Sequence, residues 1–370
     1  MDEIKTAYYD EFVCSADHCP FTCCQQWKIS IDSKTLQDWK KKGYSEYITT
    51  KDDEFVIKLD EDKVCPFLDS NKLCTIVAKD GNSATPVTCQ TFPRLINEFK
   101  NRTEYTLDTG CPEVVDLING KHFKLTARPK GASSKEDRLL NIREMLLSLF
   151  AYTNCTIPEK FMMGFYALGE LMQYYEPPKE MVREYTLEDN VHTMCSDIRE
   201  MEFNTFETVN ECNELFLDII ENYRSRGLYT EYLEPLAKQA EELPKYPKDN
   251  LEESFIRFAQ KFKIFEELLN KYIQNEIFAN VYYRGMLIED VYVQYEWIAL
   301  EYVVIRQYVF LSSILEDGRF SYNVVREAIN VISRVMGYET IDISEYMNDC
   351  FEEVIWEWGY LALITGNKSM

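Results

Sequence analysis

Eight of the twelve cysteines fall before residue 112, and this clustering constrains the chain more than any other feature. The early set begins with the pattern C-x4-C-x3-C-C, formed by Cys14, Cys19, Cys23 and Cys24, and continues with Cys65, Cys74, Cys89 and Cys111. The later ones, Cys155, Cys195, Cys212 and Cys350, stand singly. Packing alone gives no reason to concentrate thiols, so the early eight are expected to form disulfides or to bind metal.

The expected compartment favours metal. The sequence opens MDEIKTAYYDEF, without the basic and then apolar pattern of a secretory signal. No stretch reaches the roughly 18 apolar residues that a membrane span needs. We therefore expect a cytoplasmic protein, in which a cysteine framework is more often metal-binding or catalytic than disulfide-bonded. Adjacent Cys23 and Cys24 also suit disulfides poorly, because two neighbouring bridges crowd each other.

The charge balance argues against one class of partner. The net charge is −23, whereas nucleic-acid binding relies on Lys and Arg side chains that neutralise phosphates. We expect neither a nucleic-acid partner nor a membrane partner. An acidic excess of this kind is usually a solubilising surface.

The pattern of elements changes near residue 130 and predicts an α+β fold. A small cysteine-rich α+β domain is expected over residues 1–130, and a larger all-α domain over residues 131–370. The elements predicted in the first part are strands at 27–32 and 54–60, a helix capped by Asp32 and Ser33 that stops at Gly43, and a hairpin of 94–100 with 103–108.

The second part has apolar residues at helical spacing. Ser134, followed three residues later by Asp137, resembles a capping box. No fixed-period repeat is evident, so a bundle is favoured over a solenoid. The main predicted helices cover 138–152, 205–224, 229–243, 251–283, 287–315, 321–336 and 342–364.

Several cofactor and metal motifs are absent from the sequence. No G-x-G pair occurs, so neither a Rossmann turn nor a Walker loop is present. With three histidines and no H-E-x-x-H, a zinc hydrolase is disfavoured, and the repeated C-x2-C pairs of zinc ribbons are missing. A tight knot of sulfurs with remote cysteines returning to it suits a cubane [4Fe–4S] cluster. The eight thiols suit two metal centres equally well, and zinc is the alternative metal.

The cysteine segments resemble a known family. The C-C knot, CPFLD followed by LCTI, TCQTFPR and the late GCPE are similar to the motifs of the FliB/YkgJ family. That family comprises flagellin lysine-N-methylases and related proteins with a zinc- or iron-chelating cysteine domain. The resemblance is specific over residues 8–115, and over residues 270–285 it is loose.

The resemblance implies an iron–sulfur cluster, S-adenosylmethionine as methyl donor and a lysine amine of a protein such as flagellin as acceptor. The family motif falls on Cys14, Cys19, Cys23, Cys24, Cys65, Cys74, Cys89 and Cys111, which are the predicted metal ligands. Arg94, at the end of TFPR, is the candidate for binding the cofactor carboxylate, with a structural ion pair as the alternative. Tyr282, Tyr283, Tyr292 and Tyr295 are candidate walls for the lysine, with helix packing as the alternative.

Two other functions remain open from the sequence. Radical enzymes that use the same cofactor carry C-x3-C-x2-C, and here Cys19 and Cys23 match the first gap while Gln26 stands where the third cysteine belongs. An iron–sulfur enzyme that modifies another peptide or small molecule is therefore one alternative. A zinc-binding interaction module without catalysis is the other.

Overall fold

The computed structural model describes residues 1–51, 53–174, 176–337, 340–351 and 354–366. Within these ranges helices dominate, and the strands belong to the first third of the chain, as the predicted α+β class requires. The strands are β1 (Asp2–Lys5), β2 (Ile48–Lys51), β3 (Glu54–Ile57), β4 (Arg94–Glu98) and β5 (Arg102–Leu107).

The described helices begin with short ones around the cysteines and continue as a bundle. They are α1 (Ser33–Lys42), α2 (Thr75–Asp80), α3 (Val87–Thr91), α4 (Pro112–Gly120), α5 (Ser134–Ala151), α6 (Ile157–Leu171), α7 (Lys179–Glu184), α8 (Glu188–Glu200), α9 (Thr205–Arg224), α10 (Thr230–Glu242), α11 (Lys248–Phe262), α12 (Glu266–Asn280), α13 (Ile288–Leu315), α14 (Tyr322–Val335), α15 (Thr340–Phe351) and α16 (Trp358–Thr365).

A three-stranded sheet with the order β1-β5-β4 anchors the N-terminal part. Strands β4 and β5 form the predicted antiparallel hairpin. Strand β1 pairs parallel to β5, with Ile4 opposite Glu104, a pairing that the sequence analysis did not predict. The second sheet joins β2 and β3. The strand predicted at 27–32 is wrong, because that segment forms only an isolated bridge from Ser30 to Val56.

Local capping signals set several helix ends. Asp32 accepts a hydrogen bond from the Thr35 amide at 3.0 Å, and Gly43 ends α1 at φ +81°, a left-handed conformation that glycine adopts without strain. At α5 the predicted cap is off by one residue: Ser133 accepts from the Glu136 amide, while Ser134 is already helical. The run predicted over 251–283 is divided into α11 and α12 by a 3-10 turn.

Helix α13 is the central element of the bundle and is buried on nearly all sides. A helix that is apolar all round belongs in the core of a large protein or in a membrane. From the sequence we expect no stretch with the apolar length of a membrane span. Helix α13 corrects that expectation, because Ile288–Leu315 is long and apolar enough to cross a membrane. In the fold, however, 83% of its most apolar window is buried by the surrounding protein.

One large core joins the N-terminal sheet to the bundle, whereas a smaller core lies under the cysteine segments around Trp39 and Phe67. Asn275 of α12 is the polar link between sheet and bundle. Its amide oxygen accepts hydrogen bonds from the hydroxyls of Tyr8 and Thr106, each at 2.6 Å, and its nitrogen donates to the Leu107 carbonyl at 3.0 Å. The domain boundary at residue 130 stays a prediction.

Candidate metal centre

A cavity of about 540 Å³ opens in the N-terminal part, and cysteine sulfurs are its dominant polar lining. Its walls include Arg94 and the rings of Trp27 and Phe92, which meet edge to face with centroids 4.7 Å apart. Seven of the eight predicted ligands line it: Cys14, Cys19, Cys23, Cys24, Cys65, Cys74 and Cys89. Segments spread over 75 residues of sequence therefore converge on one space.

The vicinal pair Cys23-Cys24 lies in a turn that its neighbours hold in place. The Trp27 indole nitrogen donates to the Cys23 carbonyl at 2.6 Å, and the Cys65 amide donates to the Cys24 carbonyl at 2.8 Å. Gln26 has φ +66° and donates its amide to the Lys63 carbonyl at 2.8 Å, which continues the pairing of these two segments. Main-chain hydrogen bonds thus bring Cys65 beside the knot.

Short helices position the next two thiols. Asp69 accepts hydrogen bonds from the amides of Asn71 and Leu73 at 2.8 and 2.9 Å, so the loop turns back on itself and Cys74 becomes the residue before α2. Cys89 lies in α3. As a whole residue Cys89 is exposed, but its thiol lines the cavity, where desolvation and the neighbouring thiols raise its pKa to about 12.

Cys111 is buried and is the residue before α4. Desolvation is the main cause that raises the pKa of the Cys111 thiol to about 12, and the charges of Cys19 and Cys23 act in the same direction. Cys89 interacts electrostatically with Cys65, Cys23 and Cys74 instead. Cys23 therefore influences the pKa of both Cys89 and Cys111.

The chemistry of the donor set fits a bound metal. All eight cysteines are free, with no disulfide among them. Burial raises the pKa of the Cys65 thiol to about 11, and the hydrogen bond with Cys24, together with burial, raises that of Cys23. Protonated thiols would persist at neutral pH in the absence of metal, so metal binding must release their protons. Which of the eight are ligands remains a prediction.

Arg94, the candidate for binding the cofactor carboxylate, is one of the residues that line the cavity. It begins β4, lines the cavity, and holds its guanidinium 5.2 Å from the centroid of the Phe12 ring. Within the described part of the chain this guanidinium donates no hydrogen bond and forms no ion pair, which disfavours the structural ion pair weighed as the alternative. Its five N–H donors are available to a ligand in the cavity.

Arg334 of α14 is a neighbour of the cysteines that sequence reasoning missed. It donates to the carbonyls of Phe21, Thr22 and Gly110 at 3.1, 2.9 and 2.9 Å. Its guanidinium carbon lies 3.9 Å from the centroid of the Phe21 ring. No sequence signal distinguishes it, because an arginine in the last turn of an amphipathic helix is ordinary.

The tyrosines proposed as lysine walls lie elsewhere. Tyr282 stacks on Phe99 with centroids 5.4 Å apart, and Tyr295 is buried in the bundle, where it donates to the Lys160 carbonyl at 3.2 Å. Tyr292 and Tyr283 are also absent from the cavity lining. Among these positions the packing alternative describes the structure better.

Two of the later cysteines, which stand singly in the sequence, come together in the structure. The ligand atoms of Cys155, Cys195 and Glu159 all lie within 4.8 Å of one another. The Cys195 thiol donates to the Glu159 carboxylate at 3.3 Å, and Arg199 donates to the same carboxylate at 2.7 and 3.1 Å. Cys212 is buried beside Arg306. Cys350 lies outside the residues whose side chains the structure describes.

A thiol-lined cavity attached to a helical bundle defines a protein with a metal-chelating cysteine domain. Residues 13–112 match a family model described as a zinc- or iron-chelating domain. Residues 143–364, more than half of the chain, match the FliB lysine N-methylase C-terminal domain. The chain belongs to the FliB family.

Curated relatives from Salmonella agree with this membership. The flagellar biosynthetic protein FliU of Salmonella muenchen is 30% identical over 126 residues, which cover 31% of this chain and 75% of the relative. Proteins named lysine-N-methylase in Salmonella typhimurium and Salmonella choleraesuis are each 29% identical over 126 residues, 31% of either chain. The matched segment thus spans less than a third of these methylases. No solved structure matches the chain significantly.

Proposed function

We propose that the chain is a cytoplasmic protein-lysine N-methyltransferase that uses S-adenosylmethionine and acts on flagellin or a similar protein. The observation that carries this proposal is the cavity itself, which seven cysteines and Arg94 line together. The FliB membership supplies the reaction class, and the two Salmonella relatives named lysine-N-methylase supply the acceptor side chain.

The metal part of the proposal is one or two [4Fe–4S] clusters, with zinc as the alternative. The eight N-terminal cysteines would hold it, since thiolates are the ligands of such clusters. A bound cluster would supply iron that can take up the amino and carboxylate groups of the methyl donor. Eight cysteines are enough for either number of centres.

Arg94 would bind the carboxylate of the methyl donor. A guanidinium donates two parallel N–H bonds to a carboxylate, a pairing that is strong and directional. The ring of Phe12 supports the guanidinium from one side, and the rings of Trp27 and Phe92 complete a largely apolar wall. This wall would exclude water from the sulfonium centre.

The acceptor lysine must arrive uncharged for methyl transfer. Its nitrogen lone pair attacks the methyl carbon, the carbon–sulfur bond breaks with its electrons remaining on sulfur, and the resulting ammonium loses a proton to solvent. Burial against apolar groups lowers a lysine pKa from about 10.4, which favours the neutral amine. The apolar walls of the cavity, which are formed by residues between Phe12 and Arg94, would serve this purpose.

The first experiment determines the metal. Protein purified without oxygen should be brown, absorb near ~400 nm, and contain iron and acid-labile sulfide. Cys89→Ser should lower the iron content, whereas Cys155→Ser in the helical part should leave it unchanged. A folded, colourless protein that carries zinc would reject the cluster and select the interaction module.

The second experiment tests the reaction. Reconstituted protein is incubated with labelled S-adenosylmethionine and flagellin from its own host, and the label is mapped by mass spectrometry. Methyl-lysine is the expected product, with Arg94→Gln raising KM for the donor more than Arg94→Lys. Cleavage of the donor to 5′-deoxyadenosine, without methyl transfer, would select the radical-type enzyme instead.

A further inference from the structure

Arg334 connects the helical bundle to the cysteine segments through the main chain. It lies 223 positions after Cys111, the last of the eight early cysteines. Its three hydrogen bonds nevertheless go to carbonyls immediately beside them: Phe21 and Thr22 precede Cys23, and Gly110 precedes Cys111. One side chain therefore fixes the position of two cysteine segments relative to each other.

The surroundings hold this guanidinium rigidly. Arg334 is 8% exposed, and the rings of Phe21 and Trp27 lie 3.9 and 5.2 Å from its central carbon. Each of its three nitrogens donates one hydrogen bond to a carbonyl. A planar fork held on several sides cannot be replaced by lysine, whose single ammonium group makes one point contact.

The charge of Arg334 has no full counter-ion in the described protein. No described carboxylate forms a salt bridge with it. Asp108 interacts electrostatically with Arg334, but desolvation raises the pKa of the Asp108 carboxyl, although the Gly110 amide and Arg334 oppose that rise. A mostly buried cation that lacks a paired anion is costly. Within the described protein its guanidinium is stabilised by the carbonyl oxygens of Phe21, Thr22 and Gly110.

We propose that Arg334 is a positioning residue of the metal centre, which holds the Cys23 and Cys111 segments together. The proposal rests on metal binding by the cysteine domain but not on methyl transfer. The predicted metal ligands all lie in the region that matches the chelating domain. Arg334 lies in α14, which belongs to the region that matches the FliB C-terminal domain. The proposal therefore makes α14 a structural part of the metal site. Second-sphere groups of this kind typically affect metal affinity by about 10–100-fold.

The test compares Arg334→Gln and Arg334→Lys with Arg326→Gln in the holoprotein as purified without oxygen. Arg326 is a matched control, because it lies on the same helix and contacts α4 through Asp116 at 2.8 Å. The measurement is the rate of metal release to an excess of chelator. Arg334→Gln should release metal about 10–100-fold faster than the unsubstituted chain. Arg334→Lys should release metal at a rate between those of Arg334→Gln and the unsubstituted chain. Arg326→Gln should release metal at the rate of the unsubstituted chain.

Thiol mapping separates positioning from general destabilisation. Holoprotein is treated briefly with an alkylating reagent, and the modified cysteines are identified by mass spectrometry. In Arg334→Gln, or in Arg334→Lys if the first variant does not fold, Cys23 and Cys111 should gain modification before Cys65 and Cys74. Uniform gain at all four cysteines, or metal release at the rate of Arg326→Gln, would overturn the proposal. Neither readout depends on methyl transfer, so failure of the proposed enzymatic activity leaves this result interpretable.

Discussion

Asp32 joins two segments beside the cysteine cavity, and its substitution gives a prediction that can be worked out in numbers. Its carboxylate accepts hydrogen bonds from the Thr35 amide at 3.0 Å and from the Thr35 hydroxyl at 2.7 Å, and these bonds cap α1. The same carboxylate accepts the Val87 amide at 3.0 Å, at the start of the helix that carries Cys89. Asp32→Ala removes all three hydrogen bonds.

The pKa of Asp32 sets the magnitude. Desolvation alone would raise this pKa, but the hydrogen bonds from Thr35 and Val87 outweigh it and lower the pKa from 3.8 to about 2. That difference corresponds to about 2.4 kcal/mol at 1.36 kcal/mol for each pH unit. Because the carboxylate is partly exposed, solvent screening reduces the effect to about 1–1.5 kcal/mol. The loss of an N-cap typically costs about 0.5–2 kcal/mol, in agreement.

The sign of the pH dependence follows from the lowered pKa. The ionised carboxylate stabilises the fold above the unfolded-state pKa of about 3.9, and this contribution disappears as the pH falls through about 2. Urea unfolding at pH 7 should therefore show Asp32→Ala less stable by about 1–2 kcal/mol, with Asp32→Asn between it and the unsubstituted chain. The difference in the free energy of unfolding between Asp32→Ala and the unsubstituted chain should begin to decrease below pH 4. Asp38→Ala is the control, because Asp38 is an exposed residue of the same helix.

Equal urea midpoints for Asp32→Ala and the unsubstituted chain at pH 7 would refute the capping argument. A gap that stays constant down to pH 3 would refute the electrostatic part alone. A loss as large in Asp38→Ala would show that the measurement reports general helix propensity instead.

Three further outcomes are expected. Gly164→Ala should destabilise the bundle by about 1–3 kcal/mol in thermal unfolding, because a Cβ there would overlap the Tyr295 ring; an unchanged Tm would contradict the packing. Asn275→Ala should cost about 2–4 kcal/mol in urea unfolding, because it leaves buried partners of the sheet unpaired, and a loss below 0.5 kcal/mol would show that water replaces them. Cys155→Ser and Cys195→Ser should leave the metal content unchanged. In the unsubstituted chain a thiol oxidant should form a disulfide between these two cysteines, which peptide mapping would detect. If both thiols stay free, the two residues lie too far apart for a disulfide.

Features with local signals could be predicted from the sequence. The α1 cap at Asp32 and its stop at Gly43 rest on interactions within a turn of the residues that encode them, and so does the β4–β5 hairpin. The convergence of the cysteines was also predictable, because the chemistry of thiols demands it. The exact cap of α5 was not, since Ser133 and Ser134 both suit the position.

Features that depend on distant partners could not be predicted in this way. Strand β1 exists because β5, about a hundred residues later, offers it an edge. The segment 27–32 alternates like a strand, yet it finds only one bridging partner. Tyr295 and Arg334 look like ordinary helix residues, and only the packing of α13 and α14 assigns one to the core and the other to the cysteine segments.

The two sides of the contact between Arg334 and the cysteine segments are synthesised at different times. At the usual synthesis rate of about 5–20 residues per second, residue 334 follows residue 111 by roughly 10–45 s. During that interval all eight early thiols have been synthesised, whereas the guanidinium that fixes two of their segments has not. The nascent chain is then a reduced polythiol exposed to adventitious metals and oxidants, so faithful loading favours a cell that delivers metal after translation is complete.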